Sequence, residues 1–403
     1  MKEVFILPRD LKLIFFANLL WNCGFGLYHF ILPVYIRDLG GTIFEVGLFY
    51  VSMHAIYFSS MFFGGFLADK FDRKKLILFY WIVTTPTPLI YSFATNWKHL
   101  IPGAVMYNFA LGDPAVSAYI ATATSKKRMV RAFVITQAGY SLGMIFSPLL
   151  GAYLLTVVPI RWLFRVAFMF FSVSTITMLF ISPQVPAKRQ KDSLVSDFAT
   201  IVRDKKLMSW ILLFTPITFA TSISMPFISP LLEDLYSFQR HAILVMSSVI
   251  SAGQTTLAVI LGWFGDRYGI AGTLITGFAL NAVGMILLVF PAFSPFLPLA
   301  VFLIGVRQVT VSLCSSLVAK YSLINLRGTI FGVYSVLIGI GGICGPYVGG
   351  VLYESSPTQP FVWTSISLII SSFLVVILDA LFSKKKLDIN FRKQKHGALN
   401  RLT

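Results

Sequence analysis

Two charged side chains sit where charge is costly. Asp113, in Leu111-Gly112-Asp113-Pro114, is the one acid well inside an apolar run, and Arg307 lies near the centre of another. A carboxyl held in low dielectric has the chemistry a proton carrier needs. A guanidinium cannot discharge by losing its proton, so it must be paired, hydrated or bound to an anion. Gln308, Thr310, Ser312, Ser315 and Ser316 follow Arg307 and make that run mildly polar. Near the N-terminus, Asn18, Asn22 and His29 are spaced by four and seven residues, which puts all three on one face of a helix. Such a face serves either interhelical hydrogen bonding or contact with a solute, and His29 is titratable.

The elements that must position these groups are membrane helices. The chain is 56% hydrophobic and 12% charged, with a mean hydropathy of +0.78, too little polar surface to cover a soluble globule. A bilayer core of about 30 Å needs about 20 apolar residues per helix. Cutting at charged or Pro/Gly-rich breaks predicts spans over 11–35, 45–68, 75–94, 100–123, 132–157, 162–182, 208–231, 241–264, 271–290, 296–320, 328–353 and 360–381. The net charge of +17 is placed unevenly. Arg37, Lys98, Arg161, Arg165 and Arg240 fall in or within a turn of the odd-numbered loops and Arg307 deep inside a span, whereas all other Lys and Arg fall in or within a turn of the termini and even-numbered loops. That asymmetry predicts cytoplasmic termini and a cytoplasmic central loop. It disfavours nucleic acid as a partner, since the bases are scattered over many segments of one membrane face. Cys23, Cys314 and Cys344 lie in apolar runs without metal-ligand spacing and are expected as free thiols.

The chain also repeats itself. Gly64-Gly65-Phe66-Leu67-Ala68-Asp69-Lys70-Phe71-Asp72-Arg73-Lys74-Lys75 is matched by Gly262-Trp263-Phe264-Gly265-Asp266-Arg267-Tyr268-Gly269, and Asp69 to Asp266 is an offset of 197. Gly143, Pro148 and Gly151 in the fifth span are matched by Gly341, Gly345-Pro346 and Gly349 in the eleventh, at an offset of 198. A duplicated half is the direct reading. Gly139-Tyr140-Ser141-Leu142-Gly143 satisfies the nucleophile-elbow spacing, but an elbow needs a strand-turn-helix setting that this span does not provide. Absence of a metalloprotease motif, a phosphate loop and paired buried carboxylates argues against an enzyme and against a cofactor or metal.

These residues resemble the major facilitator superfamily of secondary transporters. Gly65, Leu67, Asp69, Arg73 and Lys74 match its loop signature, with Asp72 in place of a glycine; Gly262, Asp266, Arg267 and Gly269 match in the second copy, where Ile270 replaces a base. Gly332, Gly341, Gly345-Pro346 and Gly349-Gly350 resemble the motif that the superfamily's antiporters carry in their fifth helix. The resemblance implies an all-α fold of twelve transmembrane helices in two pseudo-symmetric six-helix bundles. The expected division is residues 1–182 and 208–382, with a linker over 183–207 and a basic tail over 383–403. It further implies that helices 1, 4, 7 and 10 line a central cavity, which would face Asp113 toward Arg307, and that the Asp69 cluster, with Asp69 accepting from Arg73, latches the halves. Glu233 and Asp234, just past the seventh span, are expected to be solvated.

The resulting expectation is a monomeric, proton-coupled carrier in the cell membrane that exports small amphipathic organic compounds by alternating access. A carrier of an organic anion bound by Arg307 and a transport-inactive membrane sensor are the alternatives.

Overall fold

The computed structural model describes residues 7–124, 128–186, 201, 203–322 and 327–399. Among them there are helices and no strand. The first half comprises α1 (Arg9–Gly26), α2 (Leu32–Asp38), α3 (Ile43–Ala68), α4 (Arg73–Thr84), α5 (Thr87–Phe93), α6 (Ile101–Asn108), α7 (Asp113–Thr122), α8 (Met129–Val157) and α9 (Arg161–Leu179). The second comprises α10 (Lys205–Ser224), α11 (Ile228–Tyr236), α12 (Arg240–Tyr268), α13 (Ile270–Val289), α14 (Leu297–Ile304), α15 (Val306–Tyr321), α16 (Arg327–Ser355) and α17 (Gln359–Leu399).

Grouped across their breaks, these helices make twelve passes. α1 with α2, α4 with α5, α6 with α7, α10 with α11 and α14 with α15 each form one broken pass, and the other seven are single helices. Ten passes are long and apolar enough to cross a bilayer by length and composition. The first and fourth are the two that fall short, and they carry Asn18, Asn22 and Asp113.

Local chemistry sets the boundaries. Thr42 and Glu45 form a reciprocal capping box that starts α3. Asp72 caps α4 by accepting from the Lys74 amide at 3.0 Å, which gives a use to the acid standing where the signature has glycine. Pro114 lies in the first turn of α7, where a missing N–H leaves nothing unsatisfied, so it starts a helix instead of loosening one. Pro148 and Pro346 lie inside α8 and α16, which stay continuous. The segment expected to leave the last span as a tail at Ser383 instead continues α17 to Leu399. At about 1.5 Å per residue that helix outruns a bilayer core about 30 Å thick.

Small residues permit the tightest packing. A Cβ at Gly143 of α8 would come within 2.8 Å of the Asn22 side chain of α1, and one at Gly341 of α16 within 2.5 Å of the Thr215 carbonyl of α10. The two glycines occupy equivalent positions in the repeat and seat equivalent helix pairs. Large apolar side chains such as Phe62, Trp263 and Ile370 point outward, as a lipid-facing surface requires. Cys23, Cys314 and Cys344 are free.

Candidate functional site

The halves meet at one face through a polar clasp. Arg37, ending α2, donates to Asp234 at 2.8 Å and to Glu233 at 3.4 Å, both near the end of α11. Tyr353 of α16 donates to the other oxygen of Asp234 at 2.8 Å, and Arg240, opening α12, reaches Asp38 at 2.7 Å. Glu233 and Asp234 are therefore paired across the two halves, contrary to the expectation of solvated acids. Partial burial raises the Asp38 carboxyl, and the charges of Arg240 and Arg37 pull it part of the way back. Below the clasp the passes stay in contact. A Cβ at Gly47 would come within 2.5 Å of the Pro346 carbonyl, and Gly350 packs against Phe44.

At the opposite face, marked by the two repeated hinges, the packing loosens. A Cβ added at Gly65, Gly262 or Gly332 would meet no atom within 4 Å. The Arg73 guanidinium donates to the carbonyls of Ala68 and Ala118, to Thr122 Oγ1 at 2.6 Å and to Gln184 Oε1 at 2.6 Å. Gln184 returns a backbone N–H to Asp72 at 3.0 Å. Arg73, expected as a donor to Asp69, thus ties the hinge to α7 and to the chain leaving the first half. Both hinges carry a cation over an aromatic ring one helical turn back, Lys70 over Phe66 at 3.9 Å and Arg267 over Trp263 at 5.5 Å. Each member of one pair is 197 residues from its counterpart.

Between the two faces lie two polar centres. Asp113 is the first residue of α7, where the helix N-terminus favours a carboxylate. Tyr57, Tyr80 and Tyr107 are within its electrostatic reach. Arg307 follows the break at Gly305, has Tyr140 and His54 within reach, and forms no salt bridge among the described residues; its buried Nε has no acceptor among them. Asp113 and Arg307 are not joined to each other, so the pair expected from the repeat is absent in this conformation.

The Asn18/Asn22/His29 face divides. Asn22 is buried against Gly143 and donates to the Asn18 carbonyl at 2.8 Å, a structural role. His29 lies beyond the end of α1, stacked on Phe25 at 4.1 Å. Gln308 is exposed, whereas Arg307 beside it on α15 is half-buried. His54 is the residue that sequence reasoning missed. It shares one face of α3 with Tyr50 and Tyr57, at four- and three-residue spacing. A run of aromatic contacts starts at His29: Phe25 on Tyr107 at 5.1 Å, Tyr107 on Trp21 at 6.2 Å, Trp21 on Phe171 at 3.9 Å.

Twelve passes in two related halves, clasped at one face and carrying polar centres at mid-depth, define a membrane carrier. The sequence profile of the Major Facilitator Superfamily matches residues 14–245 and again 212–398. The chain belongs to that superfamily, a family of transporters and not of enzymes. It is similar to Multidrug resistance protein 2 of Bacillus subtilis, 24% identical over 335 residues, covering 78% of this chain and 81% of that one. It is likewise 24% identical over 397 residues to Quinolone resistance protein NorA of Staphylococcus aureus, covering 94% and 96%. The solved structure of the nucleoside transporter NupG shares the fold, with a TM-score of 0.74 over 93% of this chain and 99% of that one at 16% identity.

Proposed function

We propose that this transporter is a monomeric, proton-coupled carrier that exports small amphipathic organic compounds across the cell membrane by alternating access. The observation that carries the reading is the separation of Asp113 from Arg307. An acid with no salt bridge among the described residues, and with three tyrosines within electrostatic reach, can exchange a proton without first breaking an ion pair. The clasp at Arg37 and the loosened hinge face suit a state closed on one side. The distribution of Lys and Arg supports a cytoplasmic hinge face, with the termini, the linker over 183–207 and the basic segment from 383 on that side. The names of the resistance proteins above support export over import.

In this cycle a solute enters from the hinge face and lodges against the aromatic contacts while Asp113 is deprotonated. The clasp then gives way, and a proton reaching Asp113 from the other side accompanies solute release and return of the empty carrier. The test is uptake of ethidium into inverted vesicles, where export appears as accumulation in the lumen. The parent should respond to an imposed pH gradient, and Asp113→Asn should bind ethidium without moving it. Binding without flux by the parent would identify a sensor instead.

A further inference from the structure

We infer that Arg307, His54 and His29 form a subsite for the carboxylate of an amphipathic aromatic acid, with the ring system of that acid lying against Phe25 and Tyr107. The inference rests on the carrier reading and names its substrate class. Three buried nitrogens, each within electrostatic reach of the next, have no hydrogen-bond partner among the described residues: Nε of Arg307, Nδ1 of His54 and Nδ1 of His29. They come from the tenth, second and first passes, so both halves contribute. The groups that face them are one another, tyrosines and, at His54, the backbone of Gly342. Arg307 and His54 are mutual neighbours, as are His54 and His29; Tyr140 faces Arg307, and Tyr50 lies 6.4 Å from the His54 ring. Among the described residues no carboxylate acts on any of the three.

A half-buried guanidinium whose Nε is buried and unpartnered is unfavourable, and its relief by a bound anion is a source of affinity. Its planar donor fork matches a carboxylate. A cationic ligand at the same place would face Arg307 uncompensated, so a cation such as ethidium would lodge outside this subsite. The aromatic half of the ligand follows from His29 itself, whose ring continues the stack through Phe25 to Tyr107, which are stacked at an interplanar angle of 6° and both half-buried. A carboxylate held at His29 therefore has an aromatic surface directly beside it.

The experiment compares three probes of one shape on the purified full chain: 2-naphthoate, 2-naphthylmethylammonium and 2-naphthalenemethanol. Binding is followed by thermal shift and by quenching of tryptophan fluorescence. The naphthoate should bind tightest. Arg307→Gln and His54→Phe should each weaken it about tenfold, the scale of one charge-assisted hydrogen bond, and leave the alcohol unchanged. His54→Phe and His29→Phe keep the ring and carry the test if Arg307→Gln does not fold. Equal binding of the three probes, or naphthoate affinity untouched by His54→Phe, would overturn the subsite. Ethidium export measured on the same preparation separates the two readings. Export with no naphthoate preference ends the subsite and leaves the carrier, whereas naphthoate selectivity with no flux of any solute upholds the subsite and ends the carrier.

Discussion

Arg37 and Asp234 lie 2.8 Å apart across the two halves and 197 residues apart in sequence. That separation is the offset of the repeat, so they occupy equivalent positions at the ends of the first and seventh passes. The duplication has produced a base and an acid at one pseudo-symmetric point, and the two close on each other. Asp38 with Arg240 and Tyr353 with Asp234 widen the contact into a network.

Arg37→Gln should shift the carrier toward the state open at the clasp face. Each of these partly exposed pairs is worth up to about 1 kcal/mol, which is roughly fivefold in population. Spin labels at Lys98 and Ser355 should report a longer distance population in the variant. An unchanged distribution would mean that apolar packing, and not the clasp, holds this face shut.

The seating glycines predict a contrast. Gly143→Ala and Gly341→Ala place a methyl group against Asn22 and against the Thr215 carbonyl, and each should destabilise the protein by about 1–3 kcal/mol. Gly332→Ala meets open space inside a helix and should be neutral or stabilising by up to about 1 kcal/mol. Thermal unfolding in one detergent checks all three, and equal effects would contradict the packing.

Much of this was legible in the sequence because membrane helices announce themselves by length and hydropathy, and a half-chain repeat by matching motifs. The twelve passes fall where the apolar runs place them. What escaped depends on contacts between remote segments. Glu233 and Asp234 look solvated because the base that pairs with both, Arg37, is in the other half. Arg73 has Asp69 close in sequence, yet the fold brings the Ala118 carbonyl, Thr122 and Gln184 to its guanidinium. His54 is a single polar ring in a long apolar helix, and only its juxtaposition with His29 and Arg307 gives it meaning. Asn22 has the polarity of a cavity residue, but the tight seat on Gly143 turns it into its own helix.

Arg73→Ala should free the start of the chain between the halves. It removes donors to Thr122 and Gln184 that are worth about 1.5–3 kcal/mol each when charged and well seated, and less here because Thr122 is exposed. Hydrogen exchange of residues 183–186 and of the 69–72 hinge should accelerate, and transport should slow, while solute affinity stays within about twofold. A large loss of affinity with no change in exchange would place Arg73 in the binding site instead.

Asp72→Gly restores the residue the family signature carries. It forfeits the cap of α4, a loss of only a few tenths of a kcal/mol for glycine, and the bond from the Gln184 amide, about 1 kcal/mol more. A modest fall in melting temperature with faster exchange at Gln184 is expected. No change in exchange at Gln184 would show that Asp72 does not hold it.

The most direct measurement is flux into proteoliposomes of fixed orientation under an imposed pH gradient, for the parent and Asp113→Asn. The parent should drive ethidium against its concentration gradient when the gradient is applied and stop when it is collapsed. Asp113→Asn should bind ethidium within a few-fold of the parent and show no gradient-driven flux. Gradient-driven flux that survives Asp113→Asn would contradict the assignment of the proton to this carboxyl.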